Sequence, residues 1–190
     1  VLCEEFVELA REAGESRWLM GSLTYLSEIR RASGDLAGAL ELYDELLPKS
    51  QDASPASQSI TYSNMSMIHT ALGNARELLA SLLRAADCAE AAASRRISTA
   101  FIETAASAAE FLGRPDLSPR FYGASEQQMA RSGAQREPAD AAFHLPIQAR
   151  LKTSLGAAEY ARLHAAGREP SLEAVFAEAV AWAREAATKA

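Results

Sequence analysis

An all-α protein of stacked helical hairpins, an α-solenoid closed by a C-terminal helical cap, is what this sequence predicts, on three observations. Ala is the commonest apolar residue: 48% of the residues are hydrophobic and only 7% aromatic, and Ala-rich faces with few β-branched runs favour closely packed helices over sheets. Apolar residues recur three and four positions apart, the period of a helix with one buried face. Glycines suited to ending helices stand at 34, 73 and 113, which are 39 and 40 residues apart. Near-constant spacing between helix-turn-helix units marks an array in which each hairpin buries its face on its neighbours.

Residues 2–13, LCEEFVELAREA, place Leu2, Phe6, Leu9 and Ala13 on one face and Glu4, Glu5, Glu8 and Arg11 outside. This is an amphipathic helix ended by Gly14, a partial repeat with no partner before it. The first full unit spans 17–48. Its first helix carries Leu19, Leu23, Leu26 and Ile29 or Arg30 and stops at Gly34; its second turns Leu36, Ala39, Leu40, Tyr43, Leu46 and Leu47 inward, and Pro48 marks its end. The polar stretch 49–59, KSQDASPASQS, reads as a loop or the approach to a helix. A second unit, 60–93, holds Tyr62, Met65, Ile68 and Leu72 inward, turns at Gly73-Asn74 and continues with Leu78, Leu79, Leu82, Leu83 and Ala86. The third, 97–130, has Phe101, Ile102, Ala105 and Ala109 before Leu112-Gly113, then Phe121, Tyr122 and Met129 after Pro115-Asp116.

Repeats are thus expected over 1–130 and a different region over 131–190. Ser132-Gly133 and Glu137-Pro138 break the chain, and Pro146 limits residues 139–154 to two helical pieces or a kinked one. A short helix over 156–166 follows. Ser171 reads as the N-cap of the last helix, whose Val175, Phe176, Ala179, Val180 and Trp182 would cover the open end of the array, as terminal repeats require.

The formal net charge is −6, and residues 131–190 carry 8 Lys+Arg against 7 Asp+Glu, leaving 11 against 18 for residues 1–130. The acidic excess belongs to the repeats, whereas a duplex-binding face needs the opposite sign, so no direct nucleic-acid partner is expected. Cys3 and Cys88 lie singly within helical patterns and read as small core residues, with no disulfide framework. No apolar run of 18 residues and no charged-then-apolar leader occurs, so neither a membrane span nor a signal peptide is indicated. Val1 already falls within a helical pattern, which reads as a fragment cut from a longer polypeptide.

Aligned on the glycines, the units resemble tetratricopeptide repeats. GDLAGALELYDELL matches the turn Gly, Ala39 and Tyr43 of that signature closely, and GNARELLASLLRAA and GRPDLSPRFYGASE match it more loosely. Arg30, His69 and Ala109 depart from it, standing where an aromatic residue or Leu is usual, and the spacing exceeds the usual thirty-four residues. The whole chain looks like the C-terminal helical-repeat region of large bacterial ATPase-type transcriptional regulators, the LuxR-type and related STAND proteins. LGRPDLSPRFYGASEQQMARSGA and the tail ARLKTSLGAAEYARLHAAGREPSLEAVFAEAVAWA carry that likeness. The resemblance implies a cytoplasmic sensor or interaction module that acts on ATPase and DNA-binding domains upstream. It also implies a concave groove for a protein or peptide, or for a small effector, lined by Thr24, Glu28 and Arg31, by Ser63, Met67 and Thr70, and by Glu103, Ser107 and Glu110.

The chemistry-bearing residues point to no reaction. There is no G-x-x-x-x-G-K-[ST], H-E-x-x-H, G-x-S-x-G or acidic calcium loop. His69, His144 and His164 are far apart, with no metal-ligand spacing to Cys, Asp or Glu. The carboxylates of Glu41, Asp44 and Glu45 and of Glu4, Glu5 and Glu8 lie opposite the apolar stripes and read as solvated faces. Cys88 stands beside Asp87, which opposes thiolate formation. A non-catalytic module with no cofactor or metal is therefore the expectation. The alternative is a self-association scaffold, a possible homodimer, suggested by the exposed apolar end that a cut before Val1 would leave.

Overall fold

The computed structural model describes residues 2–14 and 16–189. Among them are ten helices and no strand: α1 Leu2–Ala13, α2 Ser16–Ser33, α3 Leu36–Lys49, α4 Pro55–Leu72, α5 Ala75–Ala92, α6 Arg95–Phe111, α7 Ser118–Ser132, α8 Pro138–Leu155, α9 Ala157–Arg168 and α10 Leu172–Lys189. The chain is all-α. None of these helices is long and apolar enough to cross a membrane.

The same closure ends α2, α4 and α6. The glycine after each helix takes a left-handed conformation, with φ of 87° at Gly34, 77° at Gly73 and 76° at Gly113. The next residue's amide reaches back across the turn: Asp35 to the Arg30 carbonyl at 2.9 Å, Asn74 to His69 at 3.0 Å and Arg114 to Ala109 at 2.7 Å. This pairing satisfies carbonyls that a helix end leaves orphaned, and a side chain at the glycine would strain it. Asp35 then opens α3 by accepting from the Gly38 amide at 3.0 Å. The pairs α2/α3, α4/α5 and α6/α7 pack on each other.

Several boundaries differ from the sequence expectation. The second unit's first helix begins at Pro55 and not at residue 60, because Ser54 caps it by accepting from the Ser57 amide at 3.3 Å and Pro55 fits the first helical turn. Helix α8 runs unbroken through Pro146. Proline removes one backbone bond there, while His144 before it and Ile147, Gln148 and Leu151 after it are all buried and hold both halves in place. Helix α1 turns Val7 and Ala10 into the core, and Leu2, Phe6 and Leu9, expected on the inner face, are exposed. Both stripes are apolar, and the smaller side chains permit the closer approach to α2.

Two apolar clusters form the interior. One joins α1 to α4 around Leu23, Tyr43, Leu46 and Ile68; the other joins α5 to α10 around Leu82, Phe101, Ile102, Phe121, Val175 and Trp182. Tyr62 packs against both. Helix α10 lies over α5, α6 and α7, with Phe176 edge-on to Phe101 and Trp182 tilted against Phe121. Each such large apolar side chain contributes roughly 1.5–3 kcal/mol when fully buried. Ser171 caps α10 through the Ala174 amide at 3.2 Å.

Helices α7 and α9 meet almost backbone to backbone. A methyl group on Gly123 would stand 2.0 Å from the His164 carbonyl oxygen, and one on Gly167 would stand 1.9 Å from that of Arg120. The two glycines answer each other across the crossing. Replacing either by Ala forces the helices apart, and we expect each of Gly123→Ala and Gly167→Ala to lower unfolding stability by about 2–3 kcal/mol in urea titrations. Gly21, mid-helix in α2 with open space where a methyl group would go, is the control. Gly21→Ala should stabilise by about 0.5–1 kcal/mol.

Candidate functional site

The first helices of the three hairpins, α2, α4 and α6, bring polar residues to one side of the molecule, and α8 lies against α2 and α6 there. The segment just before α8 is fixed first. Arg136 donates from Nε to Glu103 Oε1 at 2.7 Å and from Nη2 to Glu126 Oε1 at 3.1 Å, so one guanidinium joins α6 and α7 to the chain that enters α8. Both the Glu103 and Arg136 side chains are largely buried. Next, Arg31 on α2 donates from Nη2 to Asp140 Oδ1 at 2.6 Å and from Nη1 to the Ala139 carbonyl at 3.3 Å, and it lies over the Phe143 ring at 5.8 Å. Farther along, Arg150 reaches Glu110 at 3.4 Å. Each clamp is a charge-assisted contact, and the fork of an arginine suits a carboxylate held in a fixed orientation.

A second tier of hydrogen bonds surrounds Arg136. Gln148 Nε2 donates to Glu126 Oε1 at 2.9 Å, His164 Nε2 lies 2.9 Å from Glu126 Oε2, and the Tyr160 hydroxyl donates to Gln148 Oε1 at 3.1 Å. His144 is buried, with Nδ1 3.0 Å from the Tyr122 hydroxyl and Nε2 4.0 Å from Glu103 Oε2. A carboxylate only accepts, so the neutral tautomer that fits carries its proton on Nε2 toward Glu103 and accepts the Tyr122 hydroxyl at Nδ1.

Burial and charge set the protonation states. Burial pushes His144 well below the usual imidazole range, and the Arg136 and Arg31 cations act in the same direction. Burial raises the Tyr122 hydroxyl well above its ordinary value, with the Glu103 charge adding to the effect. For Glu126 burial alone would raise the carboxyl, but hydrogen bonds from His164, Gln148 and Arg136 outweigh it and bring it down to about 2. Burial raises Glu103 even against its Arg136 partner, and burial raises Glu28, which accepts from Asn64 Nδ2 at 3.1 Å. A proton-transfer pair needs groups poised near the working pH. Tyr122 and His144 are driven away from it on opposite sides, so the arrangement acts as an electrostatic lock.

Beside this lock the surface opens into a cleft of three adjoining cavities. One, of about 100 Å³, is bounded by Glu28, Asn64, Glu103, Asp140 and His144. A second, of about 330 Å³, runs toward Met20, Thr24, Tyr25 and Ile60, and a third, of about 380 Å³, toward Thr99, Gln128, Met129 and Gln135. Arg96 and Glu137 border all three. Both are exposed and neither forms a salt bridge with another described residue, so a cation and an anion without ionic partners border all three cavities, and Arg17, also without one, borders the second.

The nine residues expected to line a groove divide between two places. Thr24, Glu28, Ser63, Met67 and Glu103 border the cleft. Arg31 and Glu110 are held by α8, and Thr70 and Ser107 are buried with their hydroxyls donating to the Ser66 and Thr104 carbonyls of their own helices. Sequence reasoning missed Arg96, Arg136, Glu137, Asp140 and His144. A signal was present in α8: Asp140, His144 and Gln148 are four residues apart, a polar stripe on one helical face that needs partners once that face is buried. Among the described residues no three His, Cys, Asp or Glu side chains gather as a metal site. No protein-family model, curated protein or solved structure matches the chain significantly.

The lock has a pH signature. His144 has a native pKa depressed below its unfolded value of about 6.5, so its contribution is complete above that pH and is lost as pH falls below it. His69, also lowered by burial, adds to the same loss. Stability measured by urea unfolding should fall as pH drops below about 6.5, an effect that the raised Glu103 and Glu28 carboxyls oppose because they gain protons more readily in the native state. His144→Gln should flatten that dependence, and an unchanged slope would contradict the assignment.

Proposed function

We propose that the chain is a non-catalytic interaction or effector-sensing module and that the cleft along α2, α4 and α6 is its binding site. The observation that carries this reading is that Arg96 and Glu137, both exposed and without a salt bridge to another described residue, border all three adjoining cavities. A cleft with apolar walls and a few convergent polar groups is the usual form of a recognition site. Unpartnered groups of both signs along it suit a ligand that presents both signs, such as a mixed-charge peptide segment or a zwitterionic small effector.

The recurring closure at Gly34, Gly73 and Gly113 supports reading the hairpins as a tetratricopeptide-like solenoid, with 131–190 supplying the helices that finish it. The inner helices of such an array carry the binding groove. The motif resemblance supports placing the module in a cytoplasmic, bacterial ATPase-type transcriptional regulator of the LuxR-type or STAND class, where occupancy of the cleft would be relayed to ATPase and DNA-binding domains. The shifts at Tyr122 and His144, both away from neutral pH, support a binding role over a chemical one.

Thermal denaturation of this 190-residue chain against amino acids, polyamines, nucleotides and mixed-charge peptides tests the reading. A ligand at about a hundred times its Kd should stabilise the protein by about 2.7 kcal/mol. That stabilisation should vanish in Arg96→Glu and in Glu137→Lys, whose side chains are exposed and leave the fold intact. If nothing in the panel stabilises the protein, or if stabilisation survives both substitutions, the cleft is not the binding site.

A further inference from the structure

We propose that the N-terminal face formed by α1 and α2 is a self-association surface whose occupant is a second copy of this chain. Among the described residues eight large apolar side chains are markedly exposed, and six of them belong to these two helices: Leu2 at 81%, Phe6 at 43%, Leu9 at 62%, Trp18 at 61%, Tyr25 at 62% and Ile29 at 49%. Their spacing is regular. Leu2, Phe6 and Leu9 are one stripe of α1, and Trp18, Tyr25 and Ile29 are one stripe of α2. Phe6 and Trp18 join the stripes edge to face, with ring centroids 6.4 Å apart.

The area argues for a protein partner of matching size. Large side chains of this kind present 150–250 Å² each when fully exposed, so the face leaves on the order of 700 Å² of mostly apolar surface open to water. A monomer rarely exposes a contiguous apolar patch above a few hundred Å². A stable two-partner interface needs about 800 Å² from each side, which one copy of this face against another nearly supplies.

Charge makes the surface complementary to itself. Glu5 and Glu12 on α1 and Arg17 at the start of α2 are exposed and form no ion pair with another described residue. A two-fold arrangement brings the same patch of both copies together, so the acidic edge of one α1 can meet Arg17 of the other, twice over. Trp18 and Phe6, in contact with each other, supply aromatic anchors of the kind that dominate such interfaces. The far end of the molecule offers no equivalent, because α10 turns Val175, Val180 and Trp182 into the core there.

Sedimentation equilibrium of the 190-residue chain from about 1 to about 300 μM tests the proposal over the affinity range of non-obligate dimers. The expected result is a reversible monomer–dimer equilibrium. Trp18→Glu and Leu9→Glu should each raise the dimer Kd by roughly thirtyfold or more, the effect of losing a central contact, with helical content and melting temperature preserved. A charge exchange reads the same contact without touching the apolar residues. Arg17→Glu and the pair Glu5→Arg, Glu12→Arg should each weaken self-association, and mixing the two variants should restore it as a heterodimer. A monomer throughout the range, a dimer indifferent to both Trp18→Glu and Leu9→Glu, or failure of the mixed charge variants to pair would each overturn the proposal.

Discussion

The placement of Arg136 between two carboxylates is the constraint on which the polar side of the molecule depends. Its guanidinium binds Glu103 of α6 and Glu126 of α7, and Glu126 in turn collects Gln148 of α8 and His164 of α9. Four helices and the segment leading into α8 therefore share one set of charges. Withdrawing these groups from water is costly, and the cost is offset only because nearly every donor and acceptor finds a well-placed partner. Removing one member would strand the others, which makes the cluster a device for fixing where α8 lies more than a source of net stability.

Small residues supply the second constraint. Ala105, Ala106, Ala108 and Ala109 along α6 are fully buried, and Gly123 and Gly167 let α7 and α9 touch at their backbones. Such contacts leave few rotamers to order, so little conformational entropy is lost, and they leave little room for substitution. Apolar packing thus determines how the helices stack, and the charge cluster determines which of them face the cleft. Arg96 and Glu137 remain at its mouth without ionic partners, whereas Arg31, Arg136, Glu103 and Asp140 are engaged with one another or with neighbouring groups.

Much of the helical architecture was legible in the sequence because helix period and turn glycines are local signals. Gly34, Gly73 and Gly113 mark three closures of one kind, and Tyr43, Leu82 and Tyr122 are all buried as their periodicity required. The exceptions also have physical reasons. In α1 two adjacent stripes are apolar, so periodicity alone does not choose between Phe6 and Val7. Pro146 is a local signal against a helix, overridden by burial of the residues on both sides of it. The candidate site was half legible. Thr24, Glu28 and Glu103 came from the groove positions that the tetratricopeptide resemblance implies, whereas the engagement of Arg31 by Asp140 joins residues far apart in the chain, and no local pattern encodes that distance.

The central claim is that a buried charge cluster, and not apolar contact alone, holds α8 against α2 and α6. Native-state hydrogen exchange on the wild type and Arg136→Met tests it most directly, because exchange reports the opening of each helix separately. The account predicts that amide protection in α8 falls selectively, with α9 following, while the α4/α5 hairpin keeps its wild-type protection. Unchanged protection in α8, or an equal loss in every helix, would contradict it.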